Sequence, residues 1–360
     1  MGDSIAWSLM SFVLGVIVAT IAAVVAPQLL HSIRETYSRS NFLSRFRPTL
    51  FRYDFTRLGQ VQLGSWSIKH PLKGFEFEIS DPPIQTWCDE RFLEAKRLEI
   101  HREGGPAWFL TDFEVDDKES PQSQIFRATF APSTFRDYQA ISHLLREDQD
   151  LASELLARAR EQNGPRSLVR GSPKTAFGVQ VNVISKQETF LAFKRSMTVG
   201  EHQGLWTLGC GETLSESDLL ESNFESGQLR IDSFCQRALR EEVGLEPSNY
   251  GEIHISWLGL NLQEGSNRLI AHVESNLSES QIERRISQCP GTQEMTELDW
   301  YSFRNGRIKD LIKEMELNGN ASKRRTKPLS RQWVPGQLLI LHELLRAHPA
   351  LLAERNGIAT

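Results

Sequence analysis

Residues 4–30 carry no formal charge, and this apolar run constrains the fold more than any other feature of the sequence. It reads SIAWSLMSFVLGVIVATIAAVVAPQLL. At about 1.5 Å per residue, a helix of this length crosses a hydrocarbon core of about 30 Å. A cleaved signal peptide expects a basic segment before a shorter apolar core, whereas only Asp3 is charged here. We therefore predict a transmembrane helix over residues 5–30, with a signal peptide as the alternative.

A cluster of arginines follows the apolar run, and only Glu35 and Asp54 dilute it. Basic residues beside a span stay in the cytoplasm, so the sequence predicts a single-pass membrane protein whose C-terminal part is cytoplasmic. Residues 31–48 are predicted to be a basic juxtamembrane linker, which is either simply solvated or in contact with anionic lipid headgroups. The arginines are Arg34, Arg39, Arg45, Arg47, Arg52 and Arg57.

The composition excludes several classes of site. A formal net charge of -5 and a pI near 6.0 give no global basic field, so no nucleic acid partner is predicted. The cysteines are far apart and form no CxxC pair, so neither a zinc knuckle nor a disulfide framework can be inferred from their spacing, and a reducing compartment fits best. With 360 residues, of which 39% are hydrophobic, the chain can form two folded units. The cysteines are Cys88, Cys210, Cys235 and Cys289.

Residues 49–170 are predicted to form a β-rich region with one long helix. Short alternating or aromatic runs separated by Gly- and Pro-containing turns predict strands, and apolar residues at helical spacing predict the helix. A Gly-Ser-Pro turn at residues 171–173 marks the boundary to the next domain. The predicted strands are 74–80, 107–115 and 124–130, and the predicted helix is 137–162.

Residues 171–350 are predicted to form a second, larger domain. Two strand-like runs flank a short polar turn and predict a hairpin. A helix is predicted to begin at a capping box formed by Ser233 and Gln236 and to end before Gly244, which tolerates the left-handed backbone of a helix end. The basic run 323–327 is interpreted as a solvated loop. The predicted strands are 177–185, 189–196, 252–262, 267–275 and 297–303, and the predicted helices are 232–243, 308–315 and 335–348.

One sequence pattern in this domain indicates a site for binding a cation. It consists of LWTLGCGETLSESD at residues 205–218 and DSFCQRALREEVGL at residues 232–245. On a helix, positions 238, 241 and 242 share a face, so carboxylates there converge on a hard cation such as Mg²⁺. Arg237 lies one turn before Glu241 and can hold its carboxylate. The opposite face, Cys235, Leu239 and Val243, is predicted to pack against a sheet.

This pattern resembles the Nudix box, in which Gly, Glu and Arg-Glu-aliphatic-any-Glu-Glu-any-Gly-aliphatic follow at fixed spacing. Two departures stand out: Ala238 occupies the place of a glutamate, and Gly211 and Arg237 are 26 positions apart, where the family pattern has 14. The resemblance implies an α/β (α+β) fold, a Nudix-like α/β/α sandwich with a mixed sheet, over residues 171–350. The matching residues are Arg237, Leu239, Glu241, Glu242, Gly244 and Leu245.

The resemblance also implies a site. A divalent cation, Mg²⁺ or Mn²⁺, would be held by Glu241 and Glu242, and Glu212 is the favoured replacement for the carboxylate missing at 238, ahead of Glu216 and Asp218. Glycines in the loop would let its backbone approach a diphosphate closely. A further base is expected before the last strand, from Glu294 or Glu297. The implied catalytic residues are Glu241, Glu242, Arg237 and Glu297, and the implied substrate-binding residues are Gly209, Gly211 and Arg195.

Two functions remain open at this point. The first is a metal-dependent, membrane-anchored hydrolase that cleaves the diphosphate of a nucleoside diphosphate linked to another moiety. The second is a catalytically impaired sensor that binds a nucleotide-derived ligand, which Ala238 and the insertion favour. A purely structural scaffold leaves the paired glutamates unexplained, because adjacent like charges repel on a helix. A homodimer is an arrangement that the resemblance allows.

Overall fold

The structure, a computed structural model, describes a set of segments that all belong to one compact unit within residues 54–348. The predicted transmembrane helix 5–30, the linker 31–48 and the basic run 323–327 lie outside them. Within the described segments, no helix combines the length and apolar character needed to cross a membrane. The segments are 60–65, 74–80, 105–116, 125–148, 176–199, 202–220, 230–261, 265–303, 307–319, 331–334 and 336–348, with single residues between them.

Eleven strands among the described residues form one mixed sheet. The main path runs β1-β9-β10-β5-β3-β4-β2, and β6, β7, β8 and β11 pair off this path. The pairs β2–β4 and β5–β10 are parallel, and the others are antiparallel. The strands are β1 (Gln60–Ser65), β2 (Gly74–Ile79), β3 (Pro106–Asp116), β4 (Ile125–Thr134), β5 (Ala176–Ile184), β6 (Thr189–Arg195), β7 (Trp206–Leu208), β8 (Cys210–Thr213), β9 (His254–Asn261), β10 (Ser266–Glu274) and β11 (Met295–Ser302).

The eight strands predicted from alternation and flanking turns are all present, to within a few residues at their ends. Strands from both sides of residue 170 are hydrogen-bonded in the same sheet, because β1 pairs with β9 and Phe109 of β3 pairs with Ala176 of β5. The N-terminal region therefore extends the sheet of the following domain. The division of the chain at residue 170 stays a prediction.

Six α-helices have described bounds, and shorter helical turns join some of them. The long helix predicted over 137–162 begins at Phe135, where Thr134 Oγ1 accepts a hydrogen bond from the backbone N–H of Asp137, and its described α-helix ends at Glu147. The helices are α1 (Phe135–Glu147), α2 (Glu216–Leu220), α3 (Ile231–Ala238), α4 (Glu279–Ile286), α5 (Arg307–Gly319) and α6 (Gln337–Ala347).

The central strand β5 separates two layers of helices. Its residues Val179 and Val181 lie in one hydrophobic core with Phe234 and Cys235 of α3. Side chains alternate along a strand, so Asn182 points to the other face of the sheet. There it bonds to His272, in a polar network that Arg346 of α6 contacts through the carbonyl oxygen of Ser256. Helices therefore cover both faces of a mixed sheet, as the resemblance predicted.

A buried polar network lies between β5, β9, β10 and the end of α6. His272 is fully buried, and its Nε2 is 2.8 Å from Ser256 Oγ, while its Nδ1 is 3.3 Å from Asn182 Nδ2. The ring of His348 stacks edge-on against it at 5.8 Å, and His348 Nδ1 contacts Glu274 at 3.2 Å. Burial lowers the pKa of both imidazoles, and the pKa of His272 falls well below its usual value. Both rings are therefore neutral in the folded protein at pH 7.

Acidification should weaken the fold through this network. An unfolded histidine binds a proton below about pH 6.5, whereas the folded His272 and His348 resist protonation. The contribution of these two side chains to stability is therefore present above that pH and is lost as the pH falls. We expect a change from pH 7.5 to 5.5 to lower the free energy of unfolding, measured with urea, in the wild type and in His348→Gln. The decrease should be about 1 kcal/mol smaller in His348→Gln. The exposed Gln288 provides the control, since Gln288→Ala changes no titratable group and should keep the wild-type pH dependence. Equal pH dependence in all three proteins would contradict this account.

Candidate functional site

The paired glutamates lie on an irregular end of α3. The helix continues from Ala238 into a π-helical turn, Leu239–Val243, and stops at Gly244, which has the left-handed backbone predicted for it (φ 70°). Single π-helical turns widen a helix locally and are frequent at functional sites. The predicted capping box at Ser233 is wrong: the N-cap is Arg230, which makes no side-chain capping bond, and Ser233 lies inside the first turn.

The inner face of this helix packs against the sheet as predicted, with Cys235, Leu239 and Val243 fully buried. Ala238 is also fully buried and belongs to the same hydrophobic core. Position 238 therefore contributes a methyl group to the core, and the helix keeps two of the three carboxylates that the family pattern places on it.

Arg237 is the centre of an ion-pair cluster. Its Nη1 donates to Glu212 at 3.1 Å and to Glu241 at 3.2 Å, so the predicted contact with Glu241 is present. Its Nε and Nη2 each donate to Asp218 at 2.9 Å, and Nη2 also donates to the carbonyl oxygen of Thr213 at 2.8 Å. Although burial alone lowers the pKa of Arg237, the bond to Asp218 and the other carboxylates raise it. The guanidinium therefore stays charged and fixes acids from three elements.

Glu242 is the most unusual group of the site. It is only 6% exposed, and its carboxylate oxygens, which accept no hydrogen bond from the described residues, keep a small contact with solvent. Burial raises the pKa of Glu242 to about 8, and Glu294, Glu212 and Glu241 raise it further against the opposing charge of Arg195. A buried carboxylate without a donor is costly unless it is protonated or neutralised by a cation.

Glu212 reaches the site because the β5–β6 hairpin opens. Only Ile184 and Phe190 pair across it, and β8 lies beside β5 in the space that remains. Glu212 is paired in register with Val179 there. Burial raises the pKa of Glu212, and Glu241 and Glu294 add to the rise, while Arg237 opposes it. The structure thus brings the predicted metal ligands Glu212, Glu241 and Glu242 into one electrostatically coupled group.

The two acids before the last strand differ in position. Glu294 ends a short 3-10 turn, Pro290–Glu294, lies 3.8 Å from Arg195 Nη2 and acts on the charge of Glu242. The carboxylate of Glu297 instead accepts a hydrogen bond from Lys194 at 2.6 Å and is half exposed. Glu294, rather than the Glu297 favoured from the sequence, therefore faces the carboxylate group together with the predicted substrate-binding Arg195.

The predicted substrate-binding glycines have a packing role in this structure. Gly209 has a left-handed backbone (φ 60°), and a Cβ there would lie 2.2 Å from the carbonyl oxygen of Val181. A Cβ on Gly211 would lie 3.2 Å from the carbonyl oxygen of Val179. Both glycines thus allow β7 and β8 to approach β5. Their contact with a diphosphate stays a prediction.

A third glycine, Gly291, supports the site although it lies outside the sequence motif. A Cβ on Gly291, in the 3-10 turn, would lie 2.7 Å from the carbonyl oxygen of Glu241 and 2.8 Å from Cα of Glu242. The neighbouring Cys289 Sγ donates to the carbonyl oxygen of Glu242 at 3.1 Å. The turn that ends in Glu294 is therefore packed directly against the π-helical turn, which sets the separation of Glu294 and Glu242.

In the conformation described, no three His, Cys, Asp or Glu side chains of the described residues converge closely enough to enclose a metal ion. The donor set nevertheless has the chemistry that Mg²⁺ and Mn²⁺ prefer, since all its members are carboxylates. Burial raises the pKa of Glu242 to about 8, and the neighbouring carboxylates of Glu294 and Glu212 add to the rise, so a cation at this position would offset both effects. The residues therefore fit a divalent cation by charge and donor type.

Comparison with known proteins gives matches to solved structures. No family model matches the chain, and neither does any curated protein. A MutT/Nudix family protein from Listeria innocua is 11% identical over 48% of this chain and 92% of its own, with a TM-score of 0.28. The Nudix domain of Shewanella oneidensis NrtR, crystallised with ADP-ribose, is 10% identical over 53% of this chain and 96% of its own (TM-score 0.27). A MutT Nudix hydrolase from Burkholderia pseudomallei is 11% identical over 47% of this chain and 98% of its own (TM-score 0.26). Because these TM-scores are below 0.5, the function has to be inferred from the chemistry of the site itself.

Gly291→Ala should destabilise the protein because its methyl group would meet the backbone of Glu241 and Glu242. Forced overpacking of this kind costs about 1 to 3 kcal/mol. Gly105→Ala is the matched control, since nothing lies within 4 Å of a Cβ at that position. Urea unfolding at pH 7.5 should show the loss in Gly291→Ala alone, and equal stabilities of the two variants would contradict the packing described.

Glu242→Gln should stabilise the metal-free protein at high pH. A carboxyl group whose folded pKa is raised contributes stability below its unfolded pKa and loses it as the pH rises through about 8. In EDTA at pH 8.5 we expect a gain of roughly 2 to 4 kcal/mol in the free energy of unfolding, with little gain at pH 5. Glu241→Gln, which removes a carboxylate that is 43% exposed and paired with Arg237, should give no such gain. A pH-independent effect of Glu242→Gln would contradict the raised pKa of this carboxyl group.

Proposed function

We propose that the chain is a metal-dependent, Nudix-type pyrophosphohydrolase that cleaves the diphosphate of a nucleoside diphosphate linked to another moiety. The observation that carries this proposal is the carboxylate of Glu242, which is nearly buried, receives no hydrogen bond from the described residues and lies close enough to Glu294, Glu212 and Glu241 for their charges to raise its pKa. A solvated acidic surface does not bury one of its members in this way.

Glu242, Glu241 and Glu212 are the residues that would hold Mg²⁺ or Mn²⁺. When bound, such a cation neutralises the charge that develops on the diphosphate and lowers the pKa of a bound water. The fit rests on the donor type and on the burial of the Glu242 carboxylate near Glu294 and Glu212. Arg237 orients Glu212 and Glu241 by hydrogen bonds, as groups behind metal-binding carboxylates commonly do.

The other side chains have separate roles in this proposal. The guanidinium of Arg195, at the end of β6, contacts a phosphate oxygen of the substrate. The half-exposed carboxylate of Glu294 accepts a proton from the attacking water. The water oxygen forms a bond to one phosphorus while the bond from that phosphorus to the bridging oxygen breaks. The bridging oxygen leaves with the second phosphate, and Glu294 returns its proton to solvent.

Ala238 favours a second candidate function, a sensor that binds a nucleotide-derived ligand without cleaving it. Because this position is fully buried, the helix offers two carboxylates to a cation, and one of them is engaged by Arg237. Loss of a metal-binding carboxylate weakens catalysis more than it weakens recognition of a ligand by charge. Binding and turnover must therefore be measured together.

We also propose that residues 5–30 anchor the protein in a membrane, with the domain that contains Glu242 on the cytoplasmic side. The uncharged run and the arginines that follow it support this proposal. A homodimer would be favoured by such an anchor, because confinement to a membrane raises the local concentration of the chain.

The test is the release of a nucleoside monophosphate by the full-length protein in detergent, with ADP-ribose, NAD and dinucleoside polyphosphates as substrates. We expect release that requires Mg²⁺ or Mn²⁺ and that falls by about a hundredfold or more in Glu242→Gln. Asp310→Asn, which changes an exposed acid on α5, should retain the wild-type rate.

If no substrate reacts but a nucleotide binds saturably, the result contradicts the hydrolase and supports the sensor. Release that persists in EDTA or in Glu242→Gln would contradict the role given to this carboxylate. The circular dichroism spectrum of each variant shows whether its fold is retained.

A further inference from the structure

Strand β7 has only three residues, and other parts of the chain hold it on both of its edges. One edge pairs with β6 over the whole length of β7. On the other edge the backbone N–H of Trp206 donates to the carbonyl oxygen of Gln332 at 2.8 Å, and the N–H of Val334 donates to the carbonyl oxygen of Trp206 at 2.9 Å. The C-terminal segment 331–334 thus adds a parallel bridge to the outer edge of β7.

The side chain of Arg331 fastens this segment to the sheet. Its Cζ lies 4.1 Å from the centre of the Trp206 ring and 5.7 Å from that of the Tyr301 ring, within the range of cation–π attraction. Its Nη1 donates to Asp299 Oδ2 at 2.6 Å and also to the hydroxyl oxygen of Tyr301. A charge-assisted hydrogen bond and two buried rings therefore hold one guanidinium between β7 and β11.

Gln337, the first residue of α6, is a second attachment of the C-terminal part to β7. It is 1% exposed, and its Oε1 accepts a hydrogen bond from the backbone N–H of Leu208 at 2.7 Å. Leu208 is the last residue of β7, whereas Trp206 is the first. Residues 331–337 therefore fix β7 at both of its ends.

The path from β7 to the candidate site is short and closely packed. Leu208 is followed by Gly209, whose N–H donates to the carbonyl oxygen of Leu191 at 3.0 Å and whose Cβ position lies 2.2 Å from the carbonyl oxygen of Val181. Strand β8 begins at the next residue and carries Glu212. Since a closely packed path transmits displacement rather than absorbing it, a movement of β7 would be passed on to Glu212.

We propose that Arg331 is a positioning residue for the candidate cation site, which acts through β7 to fix the place of Glu212. This inference rests on the proposed function. It gives the C-terminal segment 331–337 a part in the site, although this segment lies outside the sequence motif. It also explains why a charged side chain is held between the rings of Trp206 and Tyr301.

The experiment is a double-mutant cycle on the dissociation constant of Mn²⁺, measured without substrate on the full-length protein from the paramagnetic resonance of free Mn²⁺. The proteins are the wild type, Arg331→Met, Glu212→Gln, the double variant and Gln332→Ala. Arg331→Met keeps a long side chain but removes the charge and its hydrogen bonds. Gln332→Ala is the matched control, because it removes an exposed side chain from the same segment and keeps the carbonyl that binds Trp206.

We expect Arg331→Met to weaken Mn²⁺ binding about fivefold, within the range by which packed networks couple separate positions. In the Glu212→Gln background the same substitution should change binding by less than about twofold, because the carboxylate on which it acts is already lost. Arg331→Lys keeps a cation beside Trp206 but loses the planar fork, so it should weaken binding by a smaller factor than Arg331→Met.

The near-UV circular dichroism spectrum shows whether each variant is folded, and Arg331→Lys takes the place of Arg331→Met in the cycle if the latter unfolds. Arginine variants that bind Mn²⁺ like Gln332→Ala overturn the inference. A loss of equal size with and without the Glu212 carboxylate also overturns it, since Arg331 would then support the fold in general and not the place of Glu212.

These outcomes separate the inference from the proposed function. A wild type that binds Mn²⁺ and shows the coupling, but releases no nucleoside monophosphate, contradicts the hydrolase and supports the role of Arg331. A wild type that hydrolyses its substrate, with Mn²⁺ binding of the Arg331 variants indistinguishable from that of the control, contradicts the role of Arg331 alone. A wild type without Mn²⁺ affinity overturns both the metal site and the inference.

Discussion

The burial of one carboxylate, that of Glu242, is the constraint on which the candidate site depends. Folding places it beside Gly291 at 6% exposure, where the charges of three other acids act on it and no described residue donates a hydrogen bond to it. Such an arrangement is destabilising in isolation, because desolvation and like charges both disfavour the ionised form. Local destabilisation of this kind persists where it serves binding or catalysis, and a divalent cation would relieve it.

The rest of the fold holds this group in place from several directions. The π-helical turn presents Glu242, and the opened β5–β6 hairpin lets β8 bring Glu212 beside it. Gly291 allows the 3-10 turn to contact the glutamate backbone closely, and Arg237 joins acids from β8, α2 and the π-helical turn. The site thus depends on close backbone contacts as much as on the identity of its acids.

Local periodicity and turn residues predict eight of the eleven described strands and the central helix. Strands β1, β7 and β8 are not predicted, and β7 and β8, with three and four residues, are too short to show a period. Helix α4 is not predicted, although Ser278 and Gln281 form a capping box at its start, whereas the same pattern at Ser233 caps nothing. Within the site, the helical spacing of Arg237 and Glu241 correctly predicts their contact. The choice between Glu294 and Glu297 cannot be made from spacing, because it depends on which acid Lys194 binds across the β6–β11 pair. The pairing of Asp218 with Arg237 is likewise a tertiary contact without a local signal.

The most direct test of the central claim is the anomalous diffraction of crystals of the protein soaked in Mn²⁺, recorded at the manganese absorption edge. We expect an anomalous peak within bonding distance of the Glu242 carboxylate, with Glu212 or Glu241 as a further ligand. A map without a peak at Glu242, or with its carboxylate directed into the core and hydrogen-bonded there, would contradict the account.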